Sequence, residues 1–188
     1  MVKEIINNIY PISENSMKSI EIKIDFSIIK KGETFIKRNK RNNKEYFIID
    51  GVSRSYLINP EGEDITISFF TKNAIISPFS TRTENEVSIL NFQALTELKI
   101  ATIDAALFEQ LMLDNKEIRN FGNKVLRNEL KQKTSKEIGL ASLSAKERLQ
   151  SFRKDYRNLE NLIPHTIIAT YLGITNISLS RLRGDLAK

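Results

Sequence analysis

The sequence predicts an α+β chain: an N-terminal antiparallel β-roll of jelly-roll type, one long helix, and a C-terminal helical module. Three observations lead there. Residues 20–103 break into short β-type runs with turn chemistry about every 8–12 residues. From residue 104 the apolar positions switch to spacings of three and four. The positive charge gathers at the end: residues 144–188 hold eight basic and four acidic side chains, while residues 1–103 hold fourteen and thirteen.

Composition narrows the function classes. With 40% hydrophobic and 28% charged residues over 188 positions, the chain can bury a real core. No apolar run approaches the roughly 20 residues that cross a bilayer, so no membrane partner is expected. The N-terminal MVKEIINNIYPISEN carries acids and amides in place of a signal peptide's apolar core, which reads as cytoplasmic. Without cysteine there is no disulfide, thiolate metal site, iron–sulfur cluster or cysteine nucleophile. The single histidine, His165, cannot build a multi-histidine metal site, and a serine triad would have to run through it. The chain is therefore expected to be no enzyme, with no catalytic residues, no metal and no cofactor.

Along the chain, Ile5, Ile6 and Ile9 suggest a short helix that Pro11 stops. IEIKIDF (Ile20–Phe26) alternates and reads as a strand. ETFIKR follows Gly32 as another. The stretch from Tyr46 to Phe70 holds two runs broken at Asp50-Gly51 and at Asn59-Pro60-Glu61-Gly62, and VSILNFQALTELKIATI closes the region with two more. Residues 71–86 read as a loop or short helical turn. Asp104 is a candidate N-cap for Leu107, Phe108, Leu111 and Met112 at helical spacing. A longer helix is expected from about Asn115 to Lys136. Its narrow stripe of Ile118, Phe121, Val125, Leu126 and Leu130 suits pairing with a second copy of the chain, the alternative being its own β domain. Residues 134–143 loosen the pattern as a hinge. Ser144 and Glu147 form a capping box for a helix carrying Leu149, Phe152 and Tyr156. The expected division is thus residues 1–113, 114–143 and 144–188.

The last segment carries the function. Pro164–Leu172 reads as a helix with Ile167, Ile168 and Leu172 on its apolar face and Ala169 at its middle. Gly173 stands where a helix end needs positive φ, and Ile174 is the apolar plug. Thr175 caps a second helix whose Leu179, Leu182 and Leu186 fall on one side. A helix-turn-helix needs this pattern: a glycine and plug in the turn, and a second helix with one face inward and the other free for the major groove of double-stranded DNA. Asn176 and Ser178 lie in its first turn; Arg181 is spaced to reach a guanine edge or a phosphate, and Arg183 a flanking phosphate. His165 reads as a phosphate contact or as a capping or surface residue.

The order of parts resembles the Crp/Fnr family of transcription regulators over essentially the whole chain. KKGETFI, the stretch from Tyr46 to Phe70, LKIATID and LGITNISLSRLR carry the resemblance, with Thr175, Leu179, Ser180 and Arg181 matching the recognition-helix signature. The resemblance implies a cyclic nucleotide-binding-domain-like roll, a homodimer on a two-fold-symmetric promoter site, and contact with RNA polymerase. Its effector is left unspecified. Two departures stand out. The family's cyclic-nucleotide binders carry a Gly-Glu pair and an Arg-Ser or Arg-Thr pair for the phosphate. Here Ser88 falls at the arginine position, and Arg82-Thr83 comes six residues early. Cyclic AMP is therefore not expected to bind, unless Arg82 substitutes as the anion ligand. Ile177 replaces a frequent glutamate, which trades a cytosine contact for a thymine methyl. No β-hairpin wing follows the recognition helix within this sequence, so Arg148, Arg153, Lys154 and Arg157 are the expected sources of further backbone contacts. The competing reading is a small-ligand-binding roll without DNA binding.

Overall fold

The first elements already depart from alternation. Val2–Ile9 (α1) and Glu14–Glu21 (α2) are helices, and α2 begins at a Ser13 cap that accepts from the Ser16 N–H. The computed structural model describes residues 1–78 and 86–186. Ile20–Ile24 is therefore the end of a helix and its exit, not a strand, and the first strand starts at Asp25. Met17 and Ile20, three apart and buried, outweigh the two-residue period read from IEIKIDF.

Among the described residues eight strands follow: β1 Asp25–Ile29, β2 Thr34–Ile36, β3 Lys44–Asp50, β4 Ser53–Ile58, β5 Asp64–Phe70, β6 Ile75–Ile76, β7 Asn91–Ala94 and β8 Leu98–Asp104. They form two four-stranded sheets, ordered β1-β8-β3-β6 and β2-β7-β4-β5, in which the paired strands are antiparallel. This is a jelly-roll interleaving. Along β3 the alternation is strict. Tyr46 and Ile48 face the space between the sheets with Phe92, Leu98 and Ile100, while Phe47 and Ile49 face the helices. The inter-sheet space is filled by apolar side chains, with Phe35, Phe70 and Phe92 in ring contact.

Helix α3 (Ala105–Asp114) starts at Asp104, whose carboxylate accepts from the Leu107 N–H as expected. Helix α4 runs unbroken from Lys116 to Ser142. The chain does not loosen at 134–143; the helix ends only at Leu143. Asn115 caps α4 through the N–H groups of Glu117 and Ile118. Gly122 lies where a Cβ would come 2.9 Å from Met112, so α3 and α4 cross closely there. Ile118, Phe121 and Val125 are buried with α1, Phe47, Ala101 and Ile103 in one core. That corrects their reading as a seam between two copies, since these three side chains are spent inside the monomer. Leu126 is half-buried and Leu130 is 67% exposed.

The C-terminal helices are α5 (Ala145–Asp155), α6 (Leu159–Leu162), α7 (His165–Leu172) and α8 (Asn176–Asp185). The Ser144–Glu147 capping box forms in both directions, and its hydrogen bonds hold the Glu147 carboxyl below the usual range. These helices do not own a separate core. Leu149, Phe152, Ile168, Leu172 and Leu179 share one apolar cluster with Val52, Phe69 and Leu95 of the roll. The Thr66 N–H of β5 donates to the Thr170 hydroxyl of α7 at 3.2 Å. No described helix is long and apolar enough to cross a membrane.

Candidate nucleic-acid interface

The terminal turn is built as its chemistry requires. Gly173 adopts φ 66°, ψ 38° directly after α7, a left-handed conformation that a Cβ disfavours. Ile174 packs into the shared core. Thr175 then caps α8, its hydroxyl accepting from the Ser178 N–H at 3.1 Å and lying 2.9 Å from the Ser178 hydroxyl. Leu179 is wholly buried, with Leu182 and Leu186 packed against the same cluster.

Outward on α8 are Asn176, Ile177, Ser180 and Arg181, followed in its last turn by Gly184 and Asp185. Ile177 is 66% exposed, an unusual placement for so apolar a side chain. Asn176 and Ser180 stand one turn apart, as do Ile177 and Arg181, so the four share one face. Ser180 was readable as a site residue from that spacing alone. Thr175 caps the helix as its position suggested, whereas the Ser178 hydroxyl, expected at a base edge, is engaged with the Thr175 hydroxyl at that cap.

Arg183 does not point to a flanking phosphate. Its guanidinium lies 2.6 Å from the Glu160 carboxylate and 2.9 Å from Nδ1 of His165. Because an arginine only donates, Nδ1 of His165 must accept, so the ring carries its proton on Nε2. Glu160 is also gripped by Arg153, with contacts of 2.7 and 3.0 Å. This cluster braces the starts of α6 and α7 against the end of α8. Arg148 is likewise occupied, donating to the carbonyls of Leu172 and Leu143. Of the four expected backbone-contact residues, Arg148 and Arg153 are thus structural, while Lys154 and Arg157 are exposed. Pairing of this kind is invisible to charge counting, because each arginine's carboxylate or carbonyl lies on another element.

The Glu160 carboxyl is held below its ordinary range chiefly by the Arg153 hydrogen bond, with Arg183 adding and burial opposing. A depressed folded-state pKa stabilises above the ordinary carboxyl range, and that stabilisation is lost as pH falls through the folded value. Glu160→Gln should therefore lower the Tm at neutral pH, and the gap to the parent should close as pH falls below about 4. Thermal scans showing a gap of constant size from neutral to acid pH would contradict the brace.

At the roll, Ser88 is fully buried, its hydroxyl donating to the Leu90 carbonyl at 2.7 Å and accepting from the Leu90 N–H. Its one donor is spent and its side chain is closed off from solvent, which corrects its candidacy as a ligand contact. Arg82 and Thr83 lie outside the described residues. Among the described residues no three His, Cys, Asp or Glu side chains gather as a metal site.

Residues 27–115 match the cyclic nucleotide-binding domain family. The global nitrogen regulator of Nostoc sp. is 24% identical over 158 residues, covering 75% of this chain and 69% of that protein. FixK2 from Bradyrhizobium japonicum superposes with a TM-score of 0.77 at 16% identity, covering 87% of this chain and 84% of that one. A putative transcriptional regulator of the Crp/Fnr family from Eubacterium rectale gives 0.72 at 18% identity, over 93% and 85%. The chain has the fold of these Crp/Fnr-type structures. Within that fold, the strands end at Asp104, and α7 and α8 are the last two helices, joined by the turn at Gly173.

Proposed function

We propose that this chain is a DNA-binding transcription regulator that reads a two-fold-symmetric site as a homodimer, without cyclic AMP as its effector. The observation that carries the reading is the outward face of α8, where Asn176, Ile177, Ser180 and Arg181 stand free while the arginines around them are engaged. An amide, a guanidinium, a hydroxyl and an apolar group are the side-chain types that discriminate base edges in a major groove. Such a regulator works in the cytoplasm, with RNA polymerase as its partner, and has no catalytic step. Anisotropy titrations with duplex DNA test it: affinity should fall steeply between about 50 and 200 mM salt as phosphate contacts release counterions. No binding to any duplex at low salt would leave the roll as a ligand-binding domain only.

The dimer seam follows from what α4 leaves uncovered. Leu126 flanks the buried stripe, and Leu130, Thr134, Ile138 and Ala141 follow it at spacings of four, four, four and three along the exposed side of α4. Leu130 and Ile138 are 67% and 59% exposed, and apolar side chains repeated along one helix face suit a partner helix. Substituting both with aspartate should weaken self-association at least about tenfold in sedimentation equilibrium, with little change in monomer Tm. Unchanged association would place the seam elsewhere.

Two features speak against cyclic AMP: Ser88 offers neither charge nor a free hydroxyl, and the inter-sheet space is packed with aromatic rings. A calorimetric titration with cyclic AMP should show no saturable heat up to about 1 mM. Micromolar binding would reverse this part of the reading.

A further inference from the structure

The roll, the long helix and the helix-turn-helix meet at one side chain. Lys136, on the inner side of α4, donates to the Ile67 carbonyl of β5, and its ammonium stands 4.0 Å from the ring centroid of Tyr171 on α7. Two clefts open on either side, of about 580 and 630 Å³, both lined by Gln132, Lys136, Leu140, Tyr156 and Tyr171. Each volume suits a small organic ligand. Phe69 and Phe70 make the smaller cleft mainly apolar, whereas the larger, closed by Leu143 and Leu172, is lined about equally by polar and apolar groups.

Lys136 has no carboxylate partner among the described residues. The charged groups lining these clefts are Lys131, Lys133, Glu129 and Glu137 of its own helix, Arg148 and Asp155 of α5; the β5 stretch Ile67–Phe70 brings none. Glu129 lies 3.3 Å from Lys133. Burial, with the Lys133 charge adding, pushes the Lys136 ammonium down to about 8. An ammonium has three N–H donors, and the Ile67 carbonyl takes one. A desolvated cation with spare donors and no counter-charge gains most from an anion.

We propose that this cleft binds a small amphipathic anion, a carboxylate on an aromatic or apolar body, and that the bound anion fastens the terminal helices to the roll. The carboxylate meets Lys136 and the body lies against Tyr156, Tyr171 and Leu140. Tyr171 belongs to α7, so its part of the wall exists only while α7 is docked on β5. A ligand that contacts it stabilises the docked state by its difference in affinity for the two states.

Phenylacetate, its neutral analogue phenylacetamide and the cationic phenethylamine, each titrated into the intact chain, separate charge from shape. Tyrosine emission reports binding directly, because the chain has five tyrosines and no tryptophan. Phenylacetate should bind at least about tenfold more tightly than phenylacetamide and phenethylamine should not bind. Saturation with phenylacetate should also slow hydrogen exchange at the Thr66 amide, which bonds to Thr170 across the seam. Lys136→Met should abolish the preference for the acid, and Lys136→Arg should keep it. Equal binding of acid and amide, no binding below about 10 mM, or an unaltered preference in Lys136→Met would each overturn the proposal. The wild-type comparison stands even if a variant folds poorly, and none of these measurements involves DNA.

Discussion

Phe152→Ala should destabilise the chain by about 3–5 kcal/mol, the cost of deleting a buried phenylalanine and leaving its cavity. Phe152 is 2% exposed. Its ring centroid lies 6.0 Å from Phe69, 5.4 Å from Tyr156 and 5.8 Å from Tyr171, so one side chain joins the roll's β5 to α5 and α7. Aromatic pairs of this geometry add to the area they bury. Domains of this size are stable by only about 5–15 kcal/mol, so the loss is a large share of the total. Because Leu149, Leu172 and Leu179 lie in the same cluster, α8 should lose its support along with the docking surface. Urea denaturation followed by helical circular dichroism measures the change. A loss under about 1 kcal/mol would mean that the terminal helices are not held by this shared core.

Arg181→Ala should weaken binding to the cognate duplex by about 1–3 kcal/mol while leaving the Tm within a degree or two. Arg181 is exposed on the outward face of α8, and a guanidinium there can meet guanine O6 and N7 together. Arg183→Ala should do the reverse. It removes the contacts to Glu160 and His165, so its first effect is on stability, and DNA affinity should change only as far as the fold does. Comparing the two variants by Tm and by anisotropy at one salt concentration separates reader from brace. If Arg183→Ala cost as much affinity as Arg181→Ala at unchanged Tm, both assignments would be reversed.

The contrast between these two arginines marks the boundary of what the sequence could reveal. The caps at Asp104, Ser144 and Thr175 and the turn at Gly173 were legible because each is decided by neighbours within four residues. The strand runs were legible wherever a breaker bounded them. IEIKIDF misled because its isoleucines fit two periods at once, and the deciding contacts come from the distant core that buries Met17 and Ile20. The stripe on α4 was visible, but not the surface it packs on: Ile118, Phe121 and Val125 meet α1 and β3, whereas Leu130 and Ile138 lie open. Arg148, Arg153 and Arg183 looked like free positive charge because carbonyl and carboxylate partners 5 to 24 positions away leave no local pattern. The sharing of one core between Phe69 and the terminal helices was equally hidden, so the division at residue 144 marks a helix start more than an independent unit.

Selection of bound fragments from a pool of random-sequence duplexes, followed by sequencing, tests the central claim most directly. Wild-type chain should enrich an inverted repeat whose half-sites are about 10 base pairs apart from centre to centre, one for each copy of α8. Arg181→Ala should relax the preference at one position of each half-site. Enrichment of no motif, or of the same motif at full strength by a variant with Asn176, Ile177 and Arg181 all replaced by alanine, would contradict the assignment of that face as the reader.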